Sequence, residues 1–104
     1  MLFVLNTPVL TTYGIFKFAP ISVEEAKTLL RGGFQSAVGH SATAEVMSRI
    51  LGVQIPMDRG QIFMQPGDRA IVFRLLTRLP EGRVLSREEL EALPYELGLL
   101  TRLD

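Results

Sequence analysis

Short apolar segments alternate along this chain with segments of helical periodicity, and this alternation favours a sheet with helices packed on it. The chain has 104 residues, of which 47% are hydrophobic, and it contains no cysteine. This length predicts a single domain over residues 1–104, and the composition excludes disulfides and zinc–thiolate sites. No apolar run approaches the ~18 residues that span a bilayer, and the opening segment lacks the basic start of a signal peptide. We therefore expect a cytoplasmic protein with no membrane partner.

The predicted fold class is α/β, a small mixed β-sheet flanked by helices, with elements in the order ββαβαββαβ. A serine followed three residues later by glutamate, the capping box, marks two of the helix starts. The predicted strands cover residues 2–5, 13–18, 34–38, 59–64, 70–77 and 95–103, and residues 6–12 are predicted to form a loop. The predicted helices begin at Ser22, Ser41 and Ser86 and end at Gly32, at Gly52 and before Pro94.

The net charge of the chain is zero, which disfavours stable binding of duplex nucleic acid. Nine of the eleven basic residues are arginine. This bias suits two-pronged phosphate contacts, and it is equally well explained by codon usage.

The first candidate site lies between Ser36 and Thr43, where Ser-Ala-Val-Gly-His-Ser-Ala-Thr leads a strand into a helix N-terminus. Free amides and the positive end of the helix dipole favour an anion at such a junction, and Gly39 lets a ligand approach the backbone. Ser41 and Thr43 are further candidate ligand-binding residues. His40, the only histidine, is suited to general acid or base chemistry. The alternative, which the spacing alone favours because a strand, a glycine and a helix often follow one another, is that His40 is a helix cap or a surface residue.

The second candidate site is the hairpin predicted from residues 59–64 and 70–77. Strand alternation places four residues on its polar face: Arg59, Gln61, Arg74 and Arg78. If Gln65 pairs with Asp68 across the turn, Arg59 lies directly opposite Arg74. Two such charges repel unless solvent, a carboxylate or an anionic ligand lies between them. The alternative is a solvated face paired with Glu45 or Glu96. The residues predicted to face the core are Ile62, Met64, Ile71, Phe73 and Leu75.

The third candidate site is the Pro/Gly turn that places Arg78 three residues before Glu81. Arg78 is a candidate phosphate ligand, and Glu81 is a candidate for orienting or deprotonating a hydroxyl. The alternative is a local ion pair worth ~0–1 kcal/mol.

Other catalytic schemes find no support in the sequence. The P-loop, GxGxxG and HExxH motifs are absent, and the three aspartates are scattered. Clustered carboxylates for a two-metal site are therefore lacking, and one histidine without cysteine builds no zinc site. We expect no metal and no cofactor.

The ordered landmarks of the chain resemble the viral ring nucleases, small type III anti-CRISPR proteins of archaeal viruses and phages. The resemblance covers essentially the whole chain, and its glycine–histidine and Arg-Leu-x-Glu-Gly segments are specific only in combination. In the first loop, Val9 stands where the family has a serine. The matching landmarks are Leu5-Asn6, Ser36 to Thr43, Leu51-Gly52, Arg59 and Arg78-Leu79-Pro80-Glu81-Gly82.

The resemblance implies a homodimer that binds cyclic tetra-adenylate, the second messenger of type III CRISPR defence, and cuts the ring without metal. It implies that His40 and Glu81 are catalytic and that Arg59 and Arg78 bind the ligand. Asn6 also lies in a matching segment, whereas Arg74 is a candidate from the hairpin pattern alone. Two other functions remain open: a module that sequesters a cyclic nucleotide without cutting it, and a small regulator.

Overall fold

The computed structural model describes residues 1–6, 12–58, 60, 62–76, 92 and 94–104. Within these residues the chain forms a five-stranded mixed sheet and two helices, which confirms the predicted α/β class. The elements are β1 (Leu2–Leu5), β2 (Phe16–Pro20), α1 (Val23–Leu30), β3 (Gln35–Ser36), α2 (Ser41–Leu51), β4 (Arg69–Leu75) and β5 (Tyr95–Arg102).

The strands lie in the order β2-β5-β4-β1-β3. β1 pairs in parallel with both β3 and β4, while β5 is antiparallel to both β4 and β2. It follows that β1, β2, β3 and β4 all run in the same direction. Their C-terminal ends lie at one end of the sheet, which we call the carboxyl end.

Both helices pack on one face of the sheet. Strand alternation turns Leu2 and Val4 of β1, together with Ile71 and Phe73 of β4, toward this face. The helices contribute the apolar stripes that sequence periodicity predicts. The buried helical residues of this helix-side core are Ala26, Leu30, Ala44, Val46, Met47 and Leu51.

The opposite face of the sheet has a second, smaller core. Phe3 and Leu5 of β1 lie there beside Ala70 and Val72 of β4 and Leu100 of β5. The segment before β4 covers them with two buried side chains, Ile62 and Met64. The sheet is therefore apolar on both faces around β1, the strand that pairs in parallel on both of its sides.

Local sequence signals set the helix ends. The Ser22 hydroxyl accepts a hydrogen bond from the Glu25 amide at 3.1 Å and donates one to the Glu25 carboxylate at 3.2 Å. α2 ends at Gly52, whose φ of 70° is the left-handed conformation that glycine adopts without strain. The bounds of α2 are those predicted from the sequence.

The predicted strand at residues 59–64 is wrong over its described part, since residues 62–64 are irregular. Both edges of β4 are already paired, with β1 on one side and β5 on the other, so no edge remains for this segment. It packs over the sheet face instead. Ile62 and Met64 consequently lie on the opposite side of the sheet from Ile71 and Phe73, not on the predicted shared face.

Other boundaries differ by a few residues. β2 begins at Phe16 rather than Tyr13, because its pairing with β5 starts at Phe16 opposite Arg102. β3 is limited to Gln35 and Ser36, which are the residues paired with β1. The helix predicted from Ser86 lies outside the described residues.

Asp68 lies in the turn before β4, and we expect its carboxylate to make the free energy of unfolding depend on pH. Its carboxylate accepts from the Gln65 amide at 2.8 Å and from the Met1 ammonium at 3.3 Å. The Gln65 hydrogen bond is the main factor that lowers the pKa of Asp68, and the N-terminal charge and Arg102 add to it, while desolvation opposes them. A lowered folded-state pKa stabilises the fold above the ordinary carboxyl pKa, and this stabilisation is lost as the pH falls through the folded-state value.

We therefore expect Asp68→Asn to reduce the free energy of unfolding by roughly 1 kcal/mol at neutral pH. The difference between variant and wild type should begin to shrink below about pH 4, where the carboxyl of the unfolded chain becomes protonated, and should be lost as the pH falls through the lower folded-state pKa. Urea unfolding at several pH values measures both effects. A constant difference down to pH 2 would contradict a role for the carboxylate charge.

Candidate functional site at the carboxyl end of the sheet

The carboxyl end of the sheet brings several sequence-predicted site residues together. Asn6 directly follows β1, and Gly39 and His40 follow β3, the strand beside β1. Neighbouring strands lie about 4.8 Å apart, so these segments are adjacent. Ligands of open α/β sheets bind outside the carboxyl ends of parallel strands. The topology therefore supports a candidate ligand site here.

The path from β3 to α2 is fixed by backbone pairing. The Ala37 amide donates to the carbonyl of Val4 at 2.8 Å, and Val38 bridges to Met57 in parallel. His40 then adopts an extended conformation, with φ of −134°, and α2 begins at the next residue. This path places the imidazole at the start of the helix.

The His40 side chain caps α2. Its Nδ1 accepts a hydrogen bond from the Thr43 amide at 3.4 Å, and the Thr43 hydroxyl lies 3.4 Å from the same nitrogen. The helix-cap interpretation of His40 is thus confirmed. A neutral imidazole that accepts at Nδ1 carries its proton on Nε2. His40 is exposed, whereas Thr43 is buried.

The N-terminus of α2 is well suited to an anion. The amides of Ser41 and Ala42, the first two of the helix, have no acceptor within it. The first turn of α2 contains no acidic residue, whereas that of α1 contains Glu24 and Glu25. The positive end of the α2 dipole is therefore not neutralised by its own first turn.

The remaining candidates divide into two groups. Asn6 and Gly39 are half-buried and Ser41 is exposed, all near His40. Their roles as ligand contacts stay predictions, as does that of Thr43, whose hydroxyl faces His40 in the structure. The candidates Arg59, Arg78 and Glu81 lie outside the described residues, as do residues 7–11 of the first loop with Val9.

Arg74 faces a carboxylate on the neighbouring strand. On one side β4 pairs with β1, and on the other Arg74 is directly opposite Glu96 of β5. Its guanidinium Nη1 lies 3.9 Å from the Glu96 carboxylate. The alternative partner Glu96 is therefore confirmed, whereas the predicted position of Arg59 opposite Arg74 lies outside the described residues. Arg74 lies on the face away from the helices.

A cavity beside Arg74 is a feature that the sequence did not predict. It measures about 440 Å³ and lies between the C-terminal parts of β2 and β4, with Phe18, Glu96 and Gly98 in its lining. The signal that could have indicated it is Gly98, since glycine inside a strand often marks close approach of another group.

Two features are absent from the part of the chain that the structure describes. None of their His, Asp and Glu side chains form a group of three that could hold a metal ion. None of their helices combines the length and the apolar character needed to cross a membrane.

Comparison with known proteins places the chain in a family. The sequence profile of the STIV B116-like proteins matches residues 2–97. This chain belongs to the STIV B116-like family. It is 39% identical over 109 aligned positions to protein ORF117 of Acidianus two-tailed virus, covering 98% of this chain and 93% of that protein. It is 42% identical over 105 positions to protein 26 of Sulfolobus islandicus filamentous virus, covering 95% and 89%.

The family also extends to a bacterium. Protein YddF of Bacillus subtilis is 36% identical over 103 positions, covering 96% of this chain and 95% of YddF. B116 of Sulfolobus turreted icosahedral virus superposes with a TM-score of 0.80 over 97% of this chain and 98% of B116. Its sequence is 21% identical, so this superposition shows the shared B116-like fold.

Proposed function

We propose that this protein is a ring nuclease that cleaves cyclic tetra-adenylate into linear adenylates and so silences type III CRISPR signalling. The observation that carries the proposal is the position of His40. Its exposed imidazole stands at a helix N-terminus free of first-turn carboxylates, at the carboxyl end of the sheet. This arrangement suits a phosphodiester whose leaving oxygen requires a proton. The resemblance to the viral ring nucleases supplies the ligand.

The reaction that fits these residues needs no metal. The ribose 2′-oxygen attacks the adjacent phosphorus, the bond from phosphorus to the 5′-oxygen breaks, and a 2′,3′-cyclic phosphate forms. The His40 imidazolium gives its Nε2 proton to the departing 5′-oxygen, and Glu81 takes the proton of the attacking hydroxyl. Arg59, Arg78 and the first amides of α2 stabilise charge on the non-bridging oxygens. Alignment of the attacking oxygen contributes in addition.

We propose that Thr43 keeps the His40 ring in one orientation, whether the ring is neutral or protonated. In the neutral ring, Nδ1 accepts from the Thr43 amide. In the imidazolium, Nδ1 is a donor, and the Thr43 hydroxyl at 3.4 Å is the acceptor within reach. Thr43 is thus a positioning residue that acts through His40.

We expect Thr43→Val to slow single-turnover cleavage by roughly tenfold, the value of about one hydrogen bond. Thr43→Ser retains the hydroxyl and should restore the rate. A Thr43→Ser enzyme as slow as Thr43→Val would contradict the positioning role of the hydroxyl.

A homodimer completes the proposal. A ring of four identical nucleotides contains a two-fold axis, and a symmetric dimer presents two identical half-sites to it.

The proposal is tested by incubating excess protein with cyclic tetra-adenylate and separating ring from linear products, alongside a mass measurement in solution. We expect complete ring opening and twice the mass of one chain. An intact ring after long incubation would contradict the activity, and a monomer with and without ligand would contradict the dimer.

The second candidate function is sequestration of the messenger without cleavage. It is favoured by the cap geometry, because His40 as a helix cap requires no chemistry. The two functions differ in the fate of the bound ring, which is recovered intact from a sequestering protein after denaturation.

A further inference from the structure

The cavity between β2 and β4 lies at the same end of the sheet as His40 but on the face away from the helices. In the register of the sheet, Pro20, the last residue of β2, lies directly opposite Gly98 of β5. Gly98 lies directly opposite Val72 of β4 on its other side. Val72 is in turn level with Leu5, the last residue of β1. The cavity of about 440 Å³ is of the size that holds a small ligand or one part of a larger one.

One wall of the cavity is an aromatic ring over a glycine. A Cβ atom on residue 98 would collide with Cε1 of Phe18, so the ring occupies the space that any other side chain would fill. Phe18 nevertheless remains 54% exposed. A half-exposed aromatic ring at a cavity is a surface on which a planar base stacks.

The polar wall is the pair formed by Arg74 and Glu96. Their closest contact is a single one of 3.9 Å, and their side chains are 63% and 61% exposed. This contact is too long for a strong hydrogen bond, so both groups retain capacity for a ligand. The carboxylate can accept from an exocyclic amine, and the guanidinium can donate to a phosphate.

We propose that this cavity binds an adenine base, with the ring against Phe18, the exocyclic amine at Glu96 and the attached phosphate toward Arg74. The identity of the base rests on the proposed function, since an adenylate ring supplies adenines. Phe18 on β2 and Glu96 on β5 are four and three strand spacings, about 19 and 14 Å, from β3, the strand that leads to His40. A ligand of several nucleotides can therefore reach both places. The cavity thus selects the base, whereas His40 acts on the phosphodiester.

The first test uses mononucleotides, so that it is independent of cleavage. Adenosine monophosphate is titrated into the isotope-labelled protein, and we expect amide shifts centred on Phe18, Glu96 and Gly98. Phe18→Leu retains packing on Gly98 but removes the aromatic face, and it should weaken binding roughly 5- to 100-fold. Phe63→Ala is the matched control, because Phe63 is also half-exposed, at 55%, but does not line the cavity. Unchanged affinity in Phe18→Leu, or shifts centred elsewhere, would overturn the proposal.

The second test concerns the amine. Purine riboside monophosphate lacks the exocyclic amine of adenosine monophosphate and should bind the wild-type protein several-fold more weakly. Glu96→Gln weakens the acceptor and should reduce this difference, an effect that loss of structure alone would not produce. An undiminished preference in Glu96→Gln would contradict the assignment of the carboxylate.

The same variants separate this inference from the proposed function. If the wild-type protein leaves cyclic tetra-adenylate uncut while adenosine monophosphate still maps to the cavity, the proposed function fails and the base site stands. If the ring is cut while Phe18→Leu binds ring and mononucleotide as tightly as wild type, the base site fails and the proposed function stands.

Discussion

Replacing His40 by alanine is expected to slow single-turnover cleavage of cyclic tetra-adenylate by at least about 100-fold, while the ring still binds. General acid catalysis contributes about 10²- to 10⁴-fold, and no second histidine is available to replace this one. Binding should persist because the proposed function assigns the phosphate contacts to Arg59, Arg78 and the α2 amides. Rapid-quench cleavage and equilibrium binding, measured on the same preparations, give the two quantities.

The control for this experiment must separate chemistry from helix capping. His40 accepts from the Thr43 amide, so alanine also removes the cap of α2. Asparagine is among the best N-cap residues but has no proton to donate near neutral pH. His40→Asn should therefore restore thermal stability without restoring cleavage. If His40→Asn cleaves at a near-native rate, His40 is a helix cap only.

The pH dependence gives an independent criterion. As general acid, His40 must be protonated, so wild-type single-turnover cleavage should fall as rising pH removes the imidazolium proton. A flat wild-type profile, or a His40→Gln variant with a near-native rate, would remove His40 from this role.

The largest loss of stability is expected from Phe73→Ala. Phe73 is fully buried in the helix-side core, and its ring stacks on Tyr95 with centroids 5.5 Å apart at 23°. Truncation of a buried phenylalanine costs about 3–5 kcal/mol, a large part of the stability of a small domain. Urea unfolding measures the change in the free energy of unfolding.

Phe63→Ala is again the matched control, because it removes the same atoms from a half-exposed position. Its effect should stay below about 1 kcal/mol. A similar small loss for Phe73→Ala would contradict the assignment of Phe73 to the centre of the core.

The parts of the fold that the sequence predicted depend on local signals. α2 was predicted with its observed bounds because its apolar stripe is followed by Gly52, which ends the helix. α1 was predicted because Ser22 caps the Glu25 amide. These interactions span at most four residues, so the sequence contains them in readable form.

The parts that the sequence missed depend on partners distant in the chain. The residues 62–64 have strand-like alternation, but β1 occupies the edge of β4 that they would need. Their alternation therefore reflects burial of Ile62 and Met64 on a sheet face. Each edge of a strand pairs with one segment only. The local sequence pattern does not show which of several suitable segments pairs with it.

In the candidate site too, features set by neighbouring residues were predictable and features set by residues distant in the chain were not. The junction at His40 was predictable, because a strand, a glycine and a helix start follow one another directly in the sequence. The pairing of Arg74 with Glu96 and the placing of Phe18 over Gly98 depend on sheet order, which brings together residues 22 and 80 positions apart. Of these residues, only Gly98 gives a local signal of the cavity, because a glycine inside a strand often marks close approach of another group.

The most direct test of the central claim is the mass of the product formed from cyclic tetra-adenylate in the presence of EDTA. Attack by the ribose 2′-oxygen adds no water, so the fragments should be 2′,3′-cyclic phosphates whose masses sum to that of the ring. Wild-type protein in excess over the ring should give these fragments in a single turnover, and His40→Asn should leave the ring intact. Fragments each heavier by one water from the first time point, or an uncut ring with wild-type protein, would contradict the account.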